Sequence, residues 1–124
     1  MNIQQIGARD ENDRTIYAGI ARGLNGEPDY RLLLLDAKPD RDLTWTDAVS
    51  WAEEHGALLP TRKEQALLYA NLGEEFNATW YWSGEQYAGN GDAAWFQYFG
   101  NGGQDSLHKL NKLRVRAVRR LPVE

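Results

Sequence analysis

Thr61-Arg62-Lys63-Glu64-Gln65-Ala66-Leu67-Leu68-Tyr69-Ala70-Asn71-Leu72-Gly73 spells a helix with both ends marked. Thr61 and Glu64 have capping-box spacing: the hydroxyl accepts from the N–H three residues on, and the carboxylate accepts from the cap N–H in return. Gln65 to Leu72 are mostly good helix formers, and Gly73 supplies the stop. Just upstream, Thr44 is a second N-cap, with Asp47 placed to reach back to it. Trp45, Ala48, Val49 and Ala52 recur at the spacing of one helical face. Gly56 ends that helix, and His55 occupies its last turn, where a cation is favoured. Two successive helices with no strand between them exclude the strand–helix alternation of a parallel sheet.

Outward from the helices the pattern is that of strands. Thr15-Ile16-Tyr17-Ala18-Gly19-Ile20-Ala21 mixes β-branched and aromatic residues, and Gly23, Asn25, Gly26 and Pro28 mark a turn after it. Arg31-Leu32-Leu33-Leu34-Leu35-Asp36 is apolar enough for a strand buried on both faces, and 37–42 is a charged loop containing Pro39. Beyond Asn77 come an aromatic-rich strand (80–87), a turn (88–92), a second strand (93–99), a tight connection (100–103) and a third strand (104–109). Leu113-Arg114-Val115-Arg116-Ala117 alternates strictly and predicts a final strand with one apolar and one basic face. The expected fold class is α+β, with strands, two helices and then a β-meander in a single domain over 1–124.

At 124 residues, 42% hydrophobic and 26% charged, the composition is that of a globular domain and excludes wholesale disorder. The absence of Cys excludes disulfides and Cys-based zinc sites. Met1-Asn2-Ile3-Gln4-Gln5-Ile6 lacks the basic start and apolar run of a signal peptide, and no stretch approaches a membrane span. The expectation is a soluble, cytoplasmic protein, with no membrane partner. The net charge of −4 is uneven: residues 1–75 hold 14 acidic and 8 basic side chains, residues 76–124 hold 4 and 6. That balance argues against a nucleic-acid partner, while the basic run 109–120 leaves room for one local anion.

Catalysis finds no foothold in the sequence. His55 and His108 are the only histidines, and no Gly-x-Ser-x-Gly elbow, phosphate loop or dinucleotide fingerprint occurs. His55 reads as a helix-end residue and His108 as part of a polar surface. Asn90-Gly91-Asp92 reads as a turn, and Asp10-Glu11-Asn12-Asp13 as a solvated loop without the Gly and distant Glu of a calcium loop. Asn77-Ala78-Thr79 fits a glycosylation acceptor and is read as a turn. No catalytic residue, metal or cofactor is therefore assigned, and the protein is expected not to be an enzyme.

Residues 43–121 carry Trp45-Thr46-Asp47-Ala48, Leu59-Pro60-Thr61-Arg62-Lys63-Glu64, Leu67-Leu68-Tyr69, Trp80-Tyr81-Trp82-Ser83-Gly84-Glu85, Ala94-Trp95, Phe99 with Gly102, and Arg114-Val115-Arg116-Ala117-Val118-Arg119. In order and approximate spacing these resemble the Lcl C-terminal domain family. The resemblance implies a C-type-lectin-like fold, with two helices packed on a small twisted antiparallel sheet. It also implies a terminal recognition module of the kind found in adhesins and phage-related proteins. For this chain that suggests a phage or prophage protein acting on a host target in the host cytoplasm, or a virion component. Ser83-Gly84-Glu85 stands where the family commonly reads Ser-Ser-Thr-Glu, and the Glu-Pro-Asn and Trp-Asn-Asp calcium motifs of C-type lectins are missing. Residues 1–42 resemble no family.

Strand alternation places Trp80, Trp82 and Gly84 on one face and Tyr81 and Ser83 on the other, and it sets Trp95, Gln97 and Phe99 against Ala94, Phe96 and Tyr98. A sheet covered by helices on one side leaves one aromatic row at the surface. The expected ligand-binding residues are Trp82, Glu85, Tyr87, Trp95, Gln97, Asn101, Gln104, His108, Asn111 and Arg114, a mixture of rigid rings and hydrogen-bonding groups suited to a protein or glycan partner. Arg114 and Arg116 fit a solvated strand face as well as ligand binding. A second reading is an oligomeric small-molecule or nucleotide-binding protein, stacking its ligand on the aromatic row and holding phosphate with the charges of 109–120. A third is a structural subunit, a homo-oligomer with the aromatics buried between protomers.

Overall fold

The computed structural model describes residues 4–123; residues 1–3, which the signal-peptide reading includes, lie outside them. Two apolar runs joined by a turn form the hairpin of β2 (Thr15–Ala21) and β3 (Tyr30–Leu35). Asn25 and Gly26 make the turn possible by adopting φ of 55° and 82°. A bulge between Tyr17 and Gly19 brings the β2 backbone against a helix, where Asn71 Nδ2 donates to Ala18 O at 2.8 Å. β1 (Arg9–Asp10) and β7 (Val118–Pro122) complete a four-stranded antiparallel sheet in the order β1-β2-β3-β7.

The two helices are α1 (Trp45–Glu54) and α2 (Arg62–Leu72), the latter followed by a 3-10 turn (Gly73–Glu75). Thr44 Oγ1 caps α1 by accepting from Asp47 N, without a returning bond from Asp47. Both bonds of the box at α2 form: Glu64 N to Thr61 Oγ1 at 3.1 Å and Thr61 N to Glu64 Oε1 at 2.8 Å. β4 (Trp80–Gln86), β5 (Ala93–Tyr98) and β6 (Gln104–His108) then form a three-stranded antiparallel sheet in that order. The architecture is α+β, with two helices and two antiparallel sheets. No helix among the described residues is long and apolar enough to cross a membrane.

Residues 113–117 do not make the final strand that their alternation predicts; that strand, β7, begins at Val118. Leu113 bridges Leu43, Arg114 bridges Tyr81 in parallel along the outer edge of β4, and the chain then runs between two apolar clusters. Leu113, Val115, Arg116 and Ala117 are all buried, leaving only Arg114 on an exposed basic face. Alternation reports an amphipathic strand only where one side meets water, and here protein covers both sides.

The three-stranded sheet is likewise covered twice. Trp82, Ala94 and Phe96 pack with Ala48, Ala52, Leu113 and Val115, whereas Tyr81 and Phe99 pack with Ile16, Leu32, Leu68 and Leu72. Most of both aromatic rows is therefore interior, against the expectation that one row is free. Trp82 is 0% exposed and donates Nε1–H to Leu43 O at 2.9 Å. The aromatic surface that remains belongs to ring edges and strand ends, with Trp80 42% exposed over Phe96.

Candidate recognition surface

β4 and β5 fall out of step between Trp82, opposite Phe96, and Gln86, opposite Ala94. Ser83 Oγ holds the irregular stretch by donating to Trp95 O at 2.7 Å and accepting from Glu85 N at 3.1 Å. Gly84 approaches the helix-joining loop so closely that a Cβ would lie 3.0 Å from Leu59 O, and its N–H donates to Pro60 O at 2.8 Å. The effect is to aim Glu85 at the start of α2, where its carboxylate accepts from Arg62 N at 2.7 Å. Glu85 is thus a helix-capping group alongside Thr61 and Glu64. Glu85→Ala is expected to lower stability by about 1 kcal/mol in urea titration, the usual effect of losing a cap.

Capped in this way, α2 presents Arg62 and Gln65 to the sheet. The Arg62 guanidinium lies 3.5 Å from the Trp95 ring centroid, and its Nε–H donates to Gln104 Oε1 at 3.1 Å. Gln104 Nε2 donates to Arg62 O and to Gln97 Oε1, both at 2.8 Å. Gln97 Nε2 passes the chain on to Gln65 O at 2.8 Å, and Gln65 Nε2 ends it on Tyr81 O at 3.1 Å. Gln65 and Gln97 are wholly buried, so the half-buried end at Arg62, Trp95 and Gln104 is fixed from beneath. Tyr87 meets Trp95 edge-on with centroids 5.3 Å apart. Strand pairing sets Gln97 opposite Gln104, Trp95 opposite Ser106 and Ala93 opposite His108, which gives Gln104, Ser106 and His108 the same face as Trp95.

Of the ten expected ligand-binding residues, Tyr87, Trp95, Gln104 and His108 therefore share one surface. Trp82 and Gln97 are corrected to the core, where neither can touch a ligand, and Glu85 is turned onto α2. Asn101 shapes the β5–β6 turn by accepting from Gly103 N at 2.8 Å, and Asn111 Nδ2 closes the turn after β6 on His108 O at 3.0 Å. Arg114 does not join them. It lies along the outer edge of β4, paired with Asp42 at 3.0 Å, beside a separate cavity of about 460 Å³. Arg62 and Gln65 belong to the surface and its support although the capping-box pattern gave no hint of it. The available signal was the spacing of Gln65, Leu68 and Leu72, which places a polar residue in a buried helical stripe.

The basic run is largely used up internally. Lys109 Nζ sits 4.6 Å from the Trp45 ring centroid and donates to Gln86 Oε1. Arg116 donates to Glu75 O at 2.6 Å and Leu35 O at 3.0 Å, Arg119 to Gly56 O and His55 O, and Arg120 to both Glu64 oxygens. These contacts leave no row of free cations for a phosphate chain. His55 packs against Trp51 with centroids 4.2 Å apart and the rings tilted by 34°, and among the described residues no three His, Asp or Glu side chains gather as metal ligands. The chain matches no known family model, and none of the curated proteins is significantly similar to it in sequence.

Proposed function

We propose that this chain is a non-enzymatic recognition module holding a protein partner against the face formed by Arg62, Tyr87, Trp95, Gln104, Ser106 and His108. The observation that carries the proposal is the hydrogen-bonded ladder from Gln65 through Gln97 to Gln104 and Arg62, which fixes an aromatic–guanidinium pair at the surface before any partner arrives. Side chains already immobilised lose little entropy on binding, and Trp, Tyr and Arg are the residue types that dominate protein interfaces. Arg62 lies over one face of the Trp95 ring and Tyr87 meets it edge-on, which leaves less of that ring open to a stacking sugar. That favours a protein over a glycan, and the engagement of Arg116, Arg119 and Arg120 disfavours a nucleotide. The order of elements is compatible with a C-type-lectin-like fold: first and last strands share one sheet, and two helices precede a separate three-stranded sheet.

Affinity capture from a lysate of the source organism, followed by crosslinking of the purified complex, tests this. Tyr87→Ala/His108→Glu, shown folded by circular dichroism, is expected to lose the captured protein, and Arg114→Ala to keep it. Equal capture by the double variant removes the site. Binding to a glycan array with no protein capture transfers the function to sugars.

A further inference from the structure

The side of α2 turned away from the ladder, carrying Lys63, Ala66, Leu67 and Ala70, forms one wall of an apolar groove of about 390 Å³. The other wall is the end of β2 and the turn after it, with Ile20 46% and Leu24 53% exposed. Such a volume is at the small end of ligand pockets. Apart from Arg22 and Lys63, its polar side chains are engaged with one another: the Tyr30 hydroxyl donates to Glu64 at 2.5 Å, and Glu64 also accepts from Arg120 and from Thr61 N. A ligand inside the groove thus meets hydrocarbon and finds no free hydrogen-bonding group from that trio. Sugars and nucleosides, which need several hydrogen bonds, are poorly served by such walls.

The charge at the groove contrasts with its surroundings. Residues 1–75 carry 14 acidic against 8 basic side chains, yet the charged residues lining the groove are Arg22, Lys63 and Glu64, and Arg120 neutralises Glu64. Arg22 and Lys63 make no ion pair among the described residues. Hydrocarbon walls with two uncommitted cations complement a molecule with an aliphatic tail and a single anionic head. We infer that the groove between α2 and the β2–β3 turn binds a medium-chain aliphatic carboxylate, its tail along Ile20, Leu24, Ala66 and Ala70 and its carboxylate between Arg22 and Lys63. The site is distinct from the protein-binding face, because Arg62 and Gln65 point to the sheet and Lys63, Ala66 and Ala70 line the groove.

The test uses decanoate below its micelle-forming concentration, followed by titration calorimetry and by backbone amide shifts in ¹H–¹⁵N spectra of the whole chain. Saturable binding is expected, with the largest shifts at Leu24, Ala66 and Ala70. Ala70→Trp, which fills the groove from an exposed helix position, and Arg22→Glu/Lys63→Glu, which reverses the rim charge, are each expected to weaken binding about tenfold or more. Decan-1-ol is expected to bind more weakly than decanoate. No saturable binding up to millimolar decanoate, unchanged affinity in folded Ala70→Trp, or equal affinity for the alcohol overturns the assignment. Light scattering that shows a wild-type dimer and an Ala70→Trp monomer overturns it too, and gives the groove to a second copy of the chain.

Discussion

Arg120→Ala is expected to destabilise the protein by about 3 kcal/mol at pH 7, the low end of the range for removing one partner of a buried ion pair. The low end applies because the Arg120 side chain keeps 30% of its surface exposed, whereas Glu64 keeps 1%. Arg120 meets the two Glu64 oxygens at 2.6 and 2.7 Å, joining the start of α2 to β7, and Tyr30 adds β3 to the junction. Burial pushes the Glu64 carboxyl up, but hydrogen bonds from Arg120, Tyr30 and Thr61 outweigh it and hold the group below its ordinary 4.5. A depressed carboxylate contributes stability that is present above the unfolded value and lost as pH falls through the folded one. Wild type should therefore weaken on acidification below about pH 4.5. Without Arg120, burial dominates and Glu64 titrates higher, so the gap between variant and wild type narrows from pH 7 to pH 4. Tyr30 is shifted the opposite way, to about 12, by burial and by its bond to Glu64. Its contribution is intact below the unfolded value of 10.0 and disappears as pH rises through about 12. Arg120→Met/Glu64→Met is expected to recover only part of the loss: two apolar side chains leave no buried charge unpaired, but Thr61 N and the Tyr30 hydroxyl lose their acceptor. Urea titrations at the two pH values decide it: an Arg120→Ala loss below 1 kcal/mol, or a gap that widens in acid, removes the pair from the stabilising frame.

How far the sequence discloses this protein depends on whether a feature is local. Thr61 and Glu64 sit three residues apart and complete their box within one turn of chain, so α2 was legible from its first residues. The runs of β2 and β3 were legible for the same reason, since apolar residues between turn formers need no distant partner to read as strands. Burial of the aromatics is not local. Trp82 and Trp95 occupy similar aromatic-rich strands, yet Trp82 is enclosed by α1 and by residues 113–115, and Trp95 meets Arg62. Glu85 reads as a ligand-binding group because nothing near it in sequence discloses that the irregularity of β4 turns its carboxylate onto a helix more than 20 residues earlier. The candidate surface is half legible: its rings and amides stand out by type, but the residue that organises them, Arg62, lies inside a capping-box pattern that explains it locally.

Arg116 is where a surface expectation turns into the second large effect. The residue is 2% exposed, its guanidinium donates to Glu75 O and Leu35 O, and it lies 5.3 Å from the Phe76 ring centroid. No carboxylate pairs with it among the described residues, and its Nε has no hydrogen-bond partner among them. Its main-chain bonds tie the end of β3 to the turn after α2. Burial lowers its pKa, and the fields of Glu75, Tyr81 and Asp36 offset part of that effect. Arg116→Ala removes both donors and opens a void, and is expected to destabilise by about 3–5 kcal/mol. Arg116→Met fills more of the void and still leaves the carbonyls bare, so its loss is expected to be smaller. Arg116→Lys supplies the sharper test. A lysine held there is expected to have its pKa pushed below the unfolded 10.4 by the same burial, so the unfolded chain binds more protons and stability rises with pH. The lysine variant should gain stability between pH 7 and pH 9, while wild type, whose guanidinium remains charged throughout, should show no such gain. Urea titrations at both pH values measure this, and an alanine variant within 1 kcal/mol of wild type would show that Arg116 can be spared.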